Sequence, residues 1–282
     1  MKKIATVIML LAVTLSMLSG CFRIPKDIIQ QLKPSAADSQ ATAESAESPR
    51  DDDAQGGDNG ASDASNAPAS LTTAKNPSQG YQNYLAVKGD AIDRITKAAE
   101  TSDALNMTVT MSVLGYSMMD LSLLWLTLFT DDIMSTETAM AFFGMKDVKV
   151  TSDGSGYTIT FKDSDGASAK QTCQYDAGKD QLTSTMYDAD NNVTIFFEYV
   201  NLGDHTYAAQ YYTPEDGEFK IVRAYFDTSD VAAFGSVTAS EKPASIIGKS
   251  GLDEDFVKNE ESYFVLKGGE LTVFDQGESS TN

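Results

Sequence analysis

The residues able to do covalent or metal chemistry are few, and each stands apart. His205 is the single histidine of the 282-residue chain, so any Ser-His-Asp or Cys-His arrangement would have to run through it. No Gly-x-Ser-x-Gly elbow is present. His205 follows Gly203-Asp204 at the predicted opening of a strand, where it reads as an ordinary polar strand residue. The run Asp188-Ala189-Asp190-Asn191-Asn192 begins like a calcium loop. Val193 then stands where that loop needs glycine, and Tyr199 where it needs its closing glutamate. A hairpin turn explains the same residues through their side-chain turn bonding. Acidic residues number 41 against 21 basic, which permits a glycosidase-like carboxylate pair, but no spacing singles one out. There is no phosphate-binding glycine loop, zinc ligand set or basic–aromatic stripe. Catalytic residues, metal ligands and cofactors are each read as none.

Two cysteines remain, and they differ in setting. Cys173 falls in a predicted strand on the same face as Tyr175, which reads as a buried, inert thiol. Cys21 closes a patterned N-terminus: Met1-Lys2-Lys3, an apolar run from Ile4 to Met17, then Leu18-Ser19-Gly20-Cys21. The apolar run is too short to span a bilayer. Small residues precede the cysteine, as a signal peptidase requires.

This tetrad resembles the lipobox of bacterial lipoproteins. The resemblance covers residues 1–21 and implies cleavage after Gly20, with Leu18, Ser19 and Gly20 as the cleavage signal. It implies acyl chains on Cys21 and a place on the outer face of a bacterial membrane. Each buried methylene adds about 0.8 kcal/mol, so two chains hold firmly. With Cys21 acylated, Cys173 has no partner for an internal disulfide.

Downstream, residues 36–80 are rich in Ala, Ser, Asp and Gly, and Leu71 is their only large apolar side chain. Such a stretch cannot offset its ordering entropy, and residues 21–78 are predicted to form a lipid anchor and disordered tether. A single globular domain is expected over 79–282. Net charge is −20 for the chain, of which residues 81–282 carry −18. Nucleic acid and anionic lipid headgroups would repel that domain.

The elements that must position any site are read from periodicity. Tyr81, Tyr84, Leu85, Ile92, Ile95 and Ala99 predict a helix over 79–101, capped by Ser78. Met107, Val109, Met111 and Val113 alternate with Thr and Ser, which predicts a half-buried strand over 106–113. Met118 to Phe129 reads as a buried core helix rather than a second membrane span, because a span would have to bury Asp120. The Met-rich set Met107, Met111, Met118 and Met119 reads as core filling. A short helix over 136–143 should stop at Gly144.

From Met145 the pattern is a meander, with strands expected at 146–152, 156–163, 169–176, 181–187, 193–200, 205–213 and 218–227. Residues 228–251 read as irregular with a helical turn at 229–234. A short helix over 252–258 and a hairpin joining 263–266 to 271–274 should follow, with a frayed tail from Gln276. The later strands are apolar on both faces, so they need a cover, and the helices at 79–101 and 117–129 are the expected one.

The fold class is therefore α+β: a meander sheet of seven to nine strands, strongly curved, covered on one face by N-terminal helices. In plan, such a sheet behind a lipobox is similar to the half-barrel carriers of lipoprotein trafficking, although none of their motifs is present. The expected role is a non-enzymatic, membrane-tethered module that binds an apolar ligand or an envelope protein. An envelope hydrolase with paired carboxylates and a structural assembly subunit are the alternatives. Cys21→Ala should abolish metabolic labelling with an alkyne fatty acid and leave the longer precursor on a gel. An unchanged label would remove the anchor.

Overall fold

The computed structural model describes residues 71–101, 103–130, 133–163 and 165–281. The signal segment 1–20, Cys21 and the stretch to residue 70 lie outside the described residues. The described residues belong to one compact unit.

Helix α1 spans Pro77–Ala99. Asn76 caps it, its side chain accepting from the Gln79 amide at 3.0 Å, while Gln79 Oε1 accepts from the Lys75 amide at 2.9 Å. Pro77 suits the first turn because its missing N–H would be unpaired there anyway. Ser78, the expected cap, instead donates from Oγ to the Thr127 carbonyl at 2.6 Å.

Helix α2 spans Asp103–Ser122 and is followed by a 3-10 turn at Leu124–Leu128. The strand expected over 106–113 is therefore helix. Its alternating Met, Val and Thr residues also fit a helical period: Leu105, Val109 and Tyr116 are buried at steps of four and seven. Packing of that face overrides the β-preference of the branched residues. Helix α3, Ile133–Phe142, ends at Gly144, whose φ is +86°.

Eleven antiparallel strands follow in one sheet, in sequence order from β1 to β11. They are β1 (Lys146–Ser152), β2 (Gly156–Lys162), β3 (Ser168–Asp176), β4 (Gln181–Tyr187), β5 (Val193–Asn201) and β6 (Tyr207–Glu215). Then come β7 (Glu218–Phe226), β8 (Ala232–Ala239), β9 (Ser262–Lys267), β10 (Glu270–Asp275) and β11 (Glu278–Thr281).

Two strands lie where irregular chain was expected, so eleven strands stand against the expected seven to nine. At β8, the Asp227 carboxylate accepts the amides of Ser229, Asp230 and Val231. That closes a turn rather than a helix and frees Ala232 to begin pairing. At β11, Gln276 and Gly277 both have positive φ, +46° and +91°. This is the geometry of a two-residue hairpin turn, and it returns the tail onto β10.

One sheet face carries Phe197, Tyr199, Tyr207, Phe226 and Phe234, and α1 packs there. The other face of the doubly apolar strands has a different cover. There Val200 and Ala208 pack on Ile246, and Ala233 on Val257, from the β8–β9 connection. That connection, residues 240–261, includes a 3-10 turn at Glu254–Val257. It approaches so closely that a Cβ on Gly235 would sit 2.2 Å from the Val257 carbonyl oxygen.

Glu198 pins this strap. Fully buried, it accepts from Ser245 Oγ at 2.6 Å, the Ile246 amide at 2.9 Å and Gln210 Nε2 at 3.0 Å. Glu198→Ala would leave those donors unpaired and should cost about 3 kcal/mol in urea unfolding, with Glu198→Gln costing roughly half as much. Equal stability of all three proteins would show that the strap does not depend on the carboxylate.

Candidate functional site

The residues singled out for chemistry are dispersed. His205 lies in the β5–β6 turn rather than opening a strand, with φ +56° after Asp204 at +49° and Gly203 at +111°. Its Nδ1 is buried and makes no hydrogen bond, so no acid or nucleophile is poised on that nitrogen. Cys173 is fully buried on β3, where desolvation drives its thiol pKa far above the ordinary range.

The Asp188 carboxylate turns back on its own loop. It accepts the Asp190 and Asn192 amides at 2.9 Å and Asn192 Nδ2 at 3.0 Å. These bonds to Asn192 hold the carboxyl pKa below its usual value. Among the described residues, no three His, Cys, Asp or Glu side chains converge as metal ligands.

Two more carboxylates have partners that the sequence did not announce. Asp180 accepts from the hydroxyls of Tyr175 at 3.0 Å, Tyr199 at 2.9 Å and Tyr207 at 3.0 Å, and from Asn201 Nδ2 at 3.0 Å. Burial first, and the Asp180 charge second, push the three phenol pKa values up. With four donors bound, this carboxylate is a structural clamp. Gly80 of α1 faces it, and a Cβ there would meet Tyr199 Oη at 2.5 Å.

Asp120, near the end of α2, pairs with Lys88 of α1 at 2.7 Å, their side chains only 17% and 6% exposed. Desolvation raises the Asp120 carboxyl pKa, against the opposing pull of the Lys88 ammonium. The pair borders a cavity of about 20 Å³ lined also by Tyr84, Tyr116, Phe197 and Tyr211. That is room for about one water. A second, open hollow of about 330 Å³ lies among Asp147, Lys162, Lys170 and Asp188. Its Lys162–Asp147 pair, at 2.6 Å, is solvated.

The feature without an internal role is apolar. Met107, Met111 and Met118 of α2 are 73%, 62% and 44% exposed, so three of the four methionines expected in the core face water. Met119 alone is half-buried against the core. On α3, Met134 and Phe142 are 77% and 87% exposed. Phe142 stacks edge-on against Phe143 at 5.8 Å, and Phe143 against Trp125 at 5.8 Å.

On a helix, residues 107, 111, 114, 118 and 121 fall within an arc of about 80°. That arc holds Met107, Met111, Leu114, Met118 and Leu121. The opposite arc carries Leu105, Val109, Val113, Tyr116 and Asp120, which meet the core and Lys88. Helix α2 is thus apolar on two opposed faces. The spacing was present in the sequence, and the strand assignment at 106–113 concealed it. Among the described residues, no helix is long and apolar enough to cross a membrane.

Lys88→Met should destabilise the domain by about 3 kcal/mol, since it leaves a buried carboxylate unpaired. Adding Asp120→Leu should restore most of that in the same urea titration. A double variant no better than the single would show that the two residues act independently.

Comparisons of the chain with family models, with curated proteins and with solved structures find no match.

Proposed function

We propose that this chain is a lipid-anchored, extracytoplasmic interaction module without catalytic activity. Acyl chains on Cys21 hold it to a bacterial membrane after removal of residues 1–20. The contact surface is the outer face of α2 together with the exposed end of α3. The observation that carries this reading is the placement of Met107, Met111, Met118, Met134 and Phe142 in water. Isolated exposed apolar residues are ordinary, whereas rows of them at helical spacing mark interaction surfaces. The finer shape of the sheet belongs to the same reading. Its strands curl about α1, which touches β3 and β4 near one end and β9 and β10 near the other.

The alternatives receive less support. A carrier of an apolar ligand needs a cavity of roughly 300–1,000 Å³, and the space beneath α2 is about 20 Å³. A hydrolase needs two facing carboxylates, whereas Asp120, Asp180 and Glu198 are each engaged by donors. Assembly through a sheet edge draws on β11, which is exposed along its length. The opposite edge is guarded: Glu137 of α3 accepts the Val150 amide at 3.1 Å, and β1 is irregular between Lys146 and Lys149.

A photoreactive residue placed at 111 in the full-length chain, in cells, tests the reading. Cross-links at 111 and none at a control position, Thr151, are expected. Equal labelling at both positions, or none at 111, would remove α2 as the contact surface.

A further inference from the structure

We propose that the outer face of α2, with Phe142 of α3, enters the interfacial layer of a zwitterionic lipid bilayer. The proposal rests on the reading of α2 as the contact surface and names its occupant.

Charge selects among the occupants. No charged residue lies between Asp103 and Asp120, and the flanks of the outer stripe are Asn106, Thr110, Gly115 and Ser117. The chain from residue 81 onward carries −18. A second copy docked through this face would bring one strongly acidic domain against another, with no basic side chain on the stripe to offset the repulsion. A basic protein partner would find no carboxylate on the stripe to pair with. Anionic headgroups would be repelled by the domain behind it. An uncharged surface with an apolar interior meets none of these objections.

Shape and chemistry agree with charge. The stripe lies along one face of a single helix. Methionine side chains adapt to a disordered neighbour at little cost. The inner face of α2 is already fixed to α1 through Lys88–Asp120 and to the sheet through Tyr116, which stacks on Phe234 at 5.2 Å. The helix can therefore present its outer face as a rigid edge. Phe142, Phe143 and Trp125 form a run of aromatic rings from α3 to the 3-10 turn that follows α2, the residue type favoured at the level of headgroups.

Chain length permits the contact. Residues 22–70 cannot exceed about 170 Å even when fully extended. A domain tied at Cys21 is thus confined near the bilayer, and a weak surface affinity suffices to dock it.

The test uses a chain of residues 66–282, which contains the whole compact unit of described residues, and vesicles of phosphatidylcholine. Trp125 is the only tryptophan, so quenching by brominated acyl chains reports the α2–α3 region directly. We expect the unit to float with the vesicles and Trp125 to be quenched. Met107→Lys with Met111→Lys should lower partitioning at least tenfold. Both positions are largely exposed, and an unchanged thermal melt would confirm that the fold is intact. Adding phosphatidylglycerol should weaken binding.

No flotation at millimolar lipid would overturn the proposal. So would binding that survives the double substitution or strengthens with phosphatidylglycerol. A dimer seen by light scattering and abolished by the same substitutions would assign the face to a second copy instead. The two readings fail separately. Protein-only cross-links from position 111, without vesicle binding, would remove the bilayer and keep the contact surface. No cross-link of any kind would remove both.

Discussion

Tyr84 is the point on which the rest of the packing turns. Fully enclosed on α1, its ring stacks on Tyr199 at 5.2 Å and meets Phe197, Tyr207 and Phe226 at 5.4 to 5.7 Å. One side chain thus ties the helix to three consecutive strands. Each of these aromatic side chains removes roughly 150–250 Å² from water, and their offset and edge-on geometries add to that burial. An eleven-strand meander in which each strand pairs with its neighbours in sequence has no crossover connection to hold its halves together. The helix laid across it supplies that link.

Polar groups inside this framework act as fasteners. Asp180 gathers three tyrosine hydroxyls at the edge of the aromatic cluster, Lys88–Asp120 joins α1 to α2, and Glu198 holds the strap on the opposite face. Asp180 and Glu198 are each surrounded by donors and Asp120 is held by the Lys88 ammonium, so the cost of removing these carboxylates from water is offset locally. The same satisfaction leaves Asp180 and Glu198 without spare capacity for a substrate. An abundance of carboxylates that looked open to hydrolytic chemistry is spent, at these three positions, on architecture.

Helix α2 differs because one of its faces has no such use. Its inner arc completes the core, and its outer arc repeats the apolar character with no internal partner. A helix apolar on two opposed faces is expected where both of those faces meet apolar surroundings. The core supplies one of these, and a membrane-anchored chain would have the other within reach.

Much of the domain was legible in the sequence. Strands β1 to β7 follow from period-two alternation punctuated by turn clusters such as Asp153-Gly154 and Asp216-Gly217, because turn chemistry and pleat periodicity are local properties. The helix at Pro77–Ala99 and the stop at Gly144 are local in the same sense. Three features were decided only by tertiary structure. Residues 106–113 satisfy both a strand and a helix period, and only the burial of Val109 and Tyr116 against the core separates them. Strands β8 and β11 exist because neighbouring strands offer unpaired edges, to which a turn at Asp227 and another at Gln276-Gly277 direct the chain. The engaged states of Asp180, Glu198 and Asp120 depend on partners 5 to 48 residues away in sequence, a distance over which spacing carries no information. The sequence by itself determined the residues 18–21 resemblance, the acidity and the antiparallel plan. Which apolar residues are core and which are surface was settled by folding, since a side chain's exposure is a property of its neighbours.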